Sequence, residues 1–519
     1  MLSSYFSPVQ QTAIACAVAL AAGAMVFQYR GRDRSAIGSL TLAALVLRLF
    51  SATLDPYLNS WDEVFHAVVA KNMQHRPFTP MLHWEPAMPT TLRWAQAHIW
   101  LHKPPFFLWQ IALSLKVFGL HAWAVRLPSA LWMTAVVPVT WRMAQLLTNK
   151  VQVAFAAALF MTFSVYIQEL TAGMVCTDHN DTIFIGTVAC SWWAWLESVH
   201  DRRWKWVVLV GVFSACAVLT KWYVGLSVFL PWGLVLIRRS DSRERIFFTT
   251  ALGCMLLLVG TWVVSIAWRY PDLAAFQWWF KTQHFSQSMD GHTGAWSYHL
   301  DVVRDWMPPL QWWVVVPAIT VLIWQTARPE HRIFLLSLVL AIHLFFGLAQ
   351  TKMVSYTMVL LPLYMIAVAY LLVRLVDMLP LVRVRAPLLA AALVVLSAIM
   401  LDIERTQARH TDIVSPGEDP KWRRHQMATI PVLQDLAQRI NDPEHAVVFN
   451  MPRIHHLQFM FQYGYEAWDK LPTAEDVARL GSRGYNVYAL QDGLPLADFP
   501  AGVDVIPDSV LRVPQLGRP

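Results

Sequence analysis

Asn59-Ser60-Trp61-Asp62-Glu63 opens, and Arg126-Leu127-Pro128-Ser129-Ala130-Leu131 closes, the stretch that decides how this chain folds. Between them lies His102-Lys103-Pro104-Pro105. The flanking sequence is apolar enough for a membrane, yet here two adjacent carboxylates and a lysine stand together. Charge at a membrane edge is costly, so such residues are a functional hypothesis from the outset. The stretch reads as an active site working at a membrane face.

Working outward, the composition agrees. Of 519 residues, 56% are hydrophobic and only 14% charged, and 26 are Trp. Such a balance excludes an ordinary soluble domain and fits a polytopic α-helical membrane protein. The formal net charge is +7. The basic residues sit in short runs between apolar segments rather than on one face, which points to membrane topology and not to nucleic acid. Cys16, Cys176, Cys190, Cys216 and Cys254 lie in or beside apolar segments without a CxxC pair. They read as small buried hydrophobes rather than disulfides or metal ligands. Residues 1–11 lack a basic leader, so the first apolar stretch is expected to stay as a membrane helix.

A membrane-spanning helix needs roughly 17 to 25 apolar residues, and about twelve segments meet or approach this. They are 12–29, 37–54, 124–146, 152–171, 180–199, 206–220, 223–237, 246–268, 310–325, 333–350, 354–373 and 386–401. The pair within 206–237 is the weakest, because Lys221 splits one apolar run in two. With the N-terminus outside, the basic loops at Arg30 to Arg34, Arg202 to Lys205, Arg238 to Arg245, Arg328 to Arg332 and Arg374 to Arg385 all fall on the cytoplasmic side. The same topology places loop 55–123, loop 269–309 and the tail outside. Phe106 to Gly119 is apolar but short, and is expected to lie in the interface. The domain plan is therefore 1–401 in the membrane and 402–519 as a small extracytoplasmic α/β domain. In that tail, β-like runs (446–450, 485–490) alternate with helical patterns (429–440, 474–480).

Several side chains bear chemistry. Asp62 and Glu63, flanked by Trp61, Val64 and Phe65, are candidate catalytic acids; an apolar setting is expected to raise their proton affinity and suit them to general-base work. Lys103, stiffened by two prolines, is either a snorkelling cation or one that holds a phosphate. Thr177-Asp178-His179-Asn180-Asp181-Thr182 exceeds what a helix cap needs, though it is no diagnostic metal set; no metal site is assigned, and help from a divalent cation stays open. The second outer loop carries His284, Asp290, His292, Trp296, Tyr298 and His299, either interface aromatics or groups that stack on a sugar. Lys352 and Tyr356 reach the same face as Lys103.

The order of an Asp-Glu pair after an early span, Lys-Pro-Pro, and Arg-Leu-Pro-Ser-Ala-Leu opening the next span resembles the GT-C class of membrane glycosyltransferases. Within it the chain is similar to the family 39 protein mannosyltransferase-like group, and there to bacterial aminoarabinose transferases that modify lipid A. Further matches are Leu219-Thr220-Lys221, the Pro271 to His284 run with Trp278-Trp279-Phe280, and Lys352 to Tyr356 followed by Pro362. The resemblance covers about residues 37–401. It implies a GT-C fold and transfer of a sugar from a polyprenyl-phosphate donor to a lipid, glycan or protein acceptor, with inversion, at the outer face of a bacterial inner membrane. It further implies that Asp62 deprotonates or orients the acceptor and that Lys103 contacts the lipid phosphate, with Lys352 and Tyr356 nearby. Asp178 or Asp181 would fill a second acidic position, and His284 belongs to a histidine-containing run. No cofactor is implied. Two departures stand out: His102 occupies a position usually held by Glu, and the first span is an addition.

The rival reading is a secondary transporter or lipid-sugar flippase using its intramembrane charges. Against it, the charges gather at one outer face and no repeated halves are visible. A non-catalytic scaffold would leave Asp62, Lys103 and Lys352 without a role.

Overall fold

The structure is a computed structural model. It describes residues 6–507 except 60, 175–177, 240, 290, 307–310, 411–421 and 452–453, so Cys176, Thr177 and Asp290 lie outside the described residues. Two long helices begin it, α1 (Pro8–Tyr29) and α2 (Asp33–Ala52). Ser7 starts α1 with reciprocal side-chain and backbone bonds to Gln10, and Pro8 follows at the first helical position, where its missing N–H costs nothing. Next come α3 (Asp62–Met73), the short α4 (Phe106–Phe118) and the long α5 (Ala122–Thr148). Then follow α6 (Val151–Phe163), α7 (Val165–Thr171), α8 (Asp178–Asp201), α9 (Trp204–Lys221), α10 (Phe229–Arg239) and α11 (Ser242–Arg269). Two helices, α12 (Pro271–Ser286) and α13 (Tyr298–Trp306), belong to the second large loop. The remaining bundle is α14 (Trp312–Gln325), α15 (Pro329–Leu348), α16 (Ser355–Met358), α17 (Leu361–Asp377) and α18 (Val382–Leu401).

Among the described residues, seven helices are long and apolar enough to cross a membrane, and eight if the bent pair α6–α7 is one span. The chain is a multi-pass membrane protein. The twelve expected segments all contain helix, but four do not reach that measure. α8 is polar at its start, with Asp178 to Asp181, and again toward its end, with Glu197, His200 and Asp201. The 223–237 segment splits into a 3₁₀ turn that extends α9 through Leu226, and the eleven-residue α10. α14 has only 14 residues, and 354–373 is divided between α16 and α17. At Ser164 the pair α6–α7 bends by 44°. The break frees carbonyls, and the buried Arg48 of α2 donates to one of them, Met161 O, at 2.7 Å.

After α19 (Ile403–His410) and α20 (Trp422–Ile440), the tail builds a parallel sheet of β1 (Ala446–Phe449), β2 (Glu466–Ala467), β3 (Asn486–Leu490) and β4 (Asp504–Ile506) in the order β2-β1-β3-β4. Helix α21 (His455–Tyr463) connects β1 to β2, and α22 (Ala474–Ser482) connects β2 to β3. Ala446 pairs with Asn486 and Phe449 with Ala489. β1 is buried along its whole length, as a parallel strand covered on both faces requires.

This sheet sits against the stretch that opened the analysis. Lys71 of α3 donates to Met460 O (2.7 Å) and Phe461 O (2.9 Å) at the end of α21, where it meets the negative end of the helix. Gln458 donates to Leu58 O at 3.1 Å, and Arg423 to Asp55 at 3.0 Å. α4 buries Phe107, Leu108 and Ile111 in the same apolar cluster as Val64 and Phe65 of α3 and Leu457 of α21.

Candidate active site

Asp62 and Glu63 open α3, and the two neighbours point to opposite environments. The Glu63 side chain is fully buried. Arg126 of α5 grips it with both arms, Nε to Oε1 at 2.7 Å and Nη2 to Oε2 at 2.9 Å. His179 Nε2 lies 3.2 Å from Oε1, and the Asn59 N–H donates to Oε2. Arg126 spends its other protons on the carbonyls of Asp55 and Tyr57, each at 2.7 Å. One buried pair thus ties the loop between α2 and α3 to α5 and α8. Gly173 completes the enclosure: its φ is +74°, and a Cβ there would lie 2.6 Å from Glu63 Oε1.

Asp62 faces a cavity of about 1040 Å³. Lys103 Nζ donates to its Oδ2 at 3.2 Å, the side chains being 12% and 18% exposed respectively. Lys103 is held there by Pro104 and Pro105, which start α4 with a fixed backbone. Burial raises the Asp62 proton affinity, but the ammonium of Lys103 and, farther off, that of Lys221 outweigh it, so the carboxyl sits below its ordinary value. The expected raised proton affinity is therefore corrected: the apolar setting acts as expected, and a neighbouring cation reverses the sign.

Lys221, the last residue of α9, reaches the same cavity. It is paired with Asp181 of α8, donates to Ser355 Oγ at 3.0 Å, and lies 5.4 Å above the Tyr356 ring. The turn that delivers it is unusual: Trp222 has φ +60°, and Gly225 packs so tightly that a Cβ would meet Val218 N at 2.5 Å. Lys281 of α12 adds a third ammonium to the lining. Among the described residues the lining carries three lysines and one carboxylate, with Asp181 paired to Lys221 just behind it, so positive charge is in slight excess. His102, stacked on Trp94 at 5.0 Å, and His284 also line it. Burial first, and the nearby lysines second, hold His102 well below its ordinary value and His284 at about 4. Both are neutral imidazoles at neutral pH, suited to hydrogen bonding rather than to charge. Among the described residues, no three of His, Cys, Asp and Glu are grouped so as to hold a metal ion.

With this geometry in view, the comparisons with known proteins bear on the fold. Residues 102–264 match the family model described as dolichyl-phosphate-mannose-protein mannosyltransferase. An undecaprenyl phosphate-alpha-4-amino-4-deoxy-L-arabinose arabinosyl transferase of Pseudomonas fluorescens is 25% identical over 277 residues, 51% of this chain and 48% of that protein. The corresponding transferase of Pseudomonas savastanoi pv. phaseolicola is 25% identical over 63% of this chain and 59% of its own. The chain thus spans about half the length of the curated relatives it matches. The crystal structure of ArnT from Cupriavidus metallidurans bound to undecaprenyl phosphate superposes with a TM-score of 0.61 at 17% identity, over 86% of this chain and 87% of that one. The chain shares the fold of that ArnT structure.

On that frame, the residues singled out from sequence divide. Asp62, Lys103, His102, His284 and Tyr356 line one cavity. Glu63 does not; it is walled off by Arg126 and His179, so the expectation of two catalytic acids reduces to one. Lys352 is likewise turned away. It is buried and donates to Phe346 O (3.0 Å) and Gly347 O (2.6 Å) at the C-terminal end of α15, so it caps that helix instead of facing the cavity. Asp181 stands behind Lys221, and Asp178 has a side chain outside the described residues. Sequence reasoning missed Lys221 as a site residue, although its position inside an apolar run was the signal. Lys281 carried no comparable signal.

Proposed function

We propose that this protein is a membrane glycosyltransferase that moves a sugar from a polyprenyl-phosphate donor to a lipid, glycan or protein acceptor, with inversion, at the outer face of a bacterial inner membrane. The observation that carries the reading is the grouping of Asp62, Lys103 and Lys221 around one large cavity with a slight excess of positive charge. The fold supports it, as do relatives named as transferases of undecaprenyl-phosphate arabinose. In this reading loops 55–123 and 269–309 and the tail face outward.

The chemistry follows from charge. An acceptor hydroxyl attacks the anomeric carbon from the side opposite the phosphate; the new C–O bond forms as the sugar–phosphate bond breaks, and its electron pair stays on the phosphate. A phosphate is a good leaving group, so it needs cations rather than a strong acid. Lys221 and Lys281 hold its charge beside the apolar wall of the cavity, where a cation counts for more than in open water. Asp62, kept ionised beside Lys103, accepts the hydrogen bond of the acceptor hydroxyl and takes its proton as the bond forms. Lys103 keeps that carboxylate oriented. Tyr356, His284 and His102 border the same space as sugar contacts. Glu63, with Arg126, fixes the start of α3.

The test is transfer of radiolabel by purified protein in liposomes from a panel of polyprenyl-phosphate sugars, with membrane extracts as acceptors. Asp62→Asn is expected to slow transfer on the order of 10²–10⁴-fold. Lys221→Ala should cost on the order of 10²–10³-fold while inserting normally. Label that crosses the liposome membrane without reaching an acceptor would overturn the reading in favour of a flippase.

A further inference from the structure

A second cavity, about 560 Å³, lies at the other end of the bundle. α5 and α8 both begin beside Glu63 and run away from it; Arg142 near the end of α5 and His200 near the end of α8 line this second space. Arg126 and Arg142 are sixteen residues apart on one helix, which is about 24 Å at the rise of an α-helix. The two cavities therefore belong to opposite membrane faces.

The lining has a definite chemistry. Arg142 is paired with Glu197, at 2.6 and 3.0 Å. Arg328, from the turn between α14 and α15, faces the same cavity, is exposed, and makes no ion pair among the described residues. His331, one turn along α15, is 2% exposed and lines the cavity, and its buried Nε2 meets no hydrogen-bond partner. A buried polar atom left without a partner costs free energy comparable to a lost hydrogen bond, so it marks a place where something else supplies the contact. Leu146 and Leu322 give the wall an aliphatic side. Guanidinium, imidazole and aliphatic surface together, between helices at a membrane face, suit a phosphate group carried on an acyl chain.

We infer that this cavity binds a phosphate-bearing ligand, held by Arg142, Arg328 and His331, at the face opposite the catalytic cavity. The same phosphate chemistry has two sources, the head group of an anionic phospholipid in that leaflet and soluble inorganic phosphate. The inference does not depend on the transferase reading, because none of these residues touches the first cavity.

The experiment uses the full-length protein in detergent and follows its melting temperature against three titrants: short-chain phosphatidylglycerol, short-chain phosphatidylcholine and inorganic phosphate. Saturable stabilisation by phosphatidylglycerol but not phosphatidylcholine is expected. Arg328→Gln should weaken it about tenfold, the loss of one charge-assisted hydrogen bond. Arg328 is exposed and unpaired, so this variant keeps the fold even if Arg142→Gln does not. Saturation by inorganic phosphate at the same Arg328-dependent site supports the site and names the soluble source. No saturable effect of any titrant, or one unchanged in Arg328→Gln, overturns the inference.

Discussion

At the scale of single residues, Asp62 and Glu63 differ by one position and by their entire environment. Glu63 carries a charge that Arg126, His179 and the Asn59 N–H make tolerable inside the fold. Glu63→Gln leaves the Arg126 guanidinium buried without its counter-charge and is expected to cost roughly 3–5 kcal/mol. A fall in melting temperature and in yield, out of proportion to any change in the activity of the surviving protein, is the signature; an unchanged melting temperature would refute it. Gly173→Ala attacks the same enclosure from the other side. A Cβ would lie 2.6–2.8 Å from the Glu63 carboxylate atoms, at a φ of +74°. The backbone conformation alone costs about 1–3 kcal/mol for a residue other than Gly. Thermal unfolding of Gly173→Ala beside a neutral control such as Gly233→Ala, where a Cβ meets nothing within 4 Å, checks this. Neither residue's role was legible in the sequence, since an Asp-Glu dipeptide looks the same whichever acid faces inward. Which one does is set by the helical phase of α3 against α5.

At the scale of elements, the tail and the membrane bundle meet at the segment that precedes α3. Gln458 on α21 donates to Leu58 O and to the Gln426 side chain at 2.7 Å, while Arg423 holds Asp55. The contacts to Leu58 and Asp55 span 400 and 368 positions of sequence, so no local pattern announces them. They brace the backbone from which Asp62 projects. Gln458→Leu removes the hydrogen-bond donor and is expected to lower the turnover of the proposed transfer reaction several-fold while leaving sugar-donor affinity nearly unchanged, because a misplaced reacting group affects geometry more than binding. Steady-state kinetics of Gln458→Leu beside Gln458→Glu measures this; a change confined to donor affinity would count against bracing. Two of the four strands of the tail, β1 and β3, were by contrast legible in position, while β2 and β4 were not. The apolar run at 446–449 is short and β-branched, which is what a strand buried on both faces requires.

At the scale of the whole molecule, many histidines are held neutral. Burial lowers His66 to about 4, His83 to about 3, and His284 and His299 each to about 4. In the unfolded chain each would titrate near 6.5. Between pH 6.5 and about 4 the unfolded state therefore binds more protons than the folded one, and stability falls as the pH falls. The melting temperature in detergent is expected to be flat above pH 7, to drop progressively from about 6.5 to 4, and to keep falling below that, where His83 and the Glu63 carboxylate still bind fewer protons folded than unfolded. Asp62 moves the other way for function: its carboxylate stays ionised through this window, so transfer rates corrected for the folded fraction should not fall with a carboxylate titration above pH 4. Melting curves and initial rates across pH 4.5–8 separate the two effects.

The sequence by itself determined the class of molecule and picked out charged positions that the structure brings to one cavity. Long apolar segments have few ways to satisfy their backbone in lipid except as helices, and isolated charges among them stand out because each one costs so much. That is why Asp62, Lys103 and even Lys221 were visible as positions. What only the tertiary structure decided is the partner of each charge. Glu63 belongs to Arg126, Lys352 to the carbonyl end of α15, and Lys221 to the cavity, because pairing depends on which helices are neighbours and on how each is rotated. Those neighbours come from packing between segments far apart in the chain, and packing leaves no local mark on the residues it brings together.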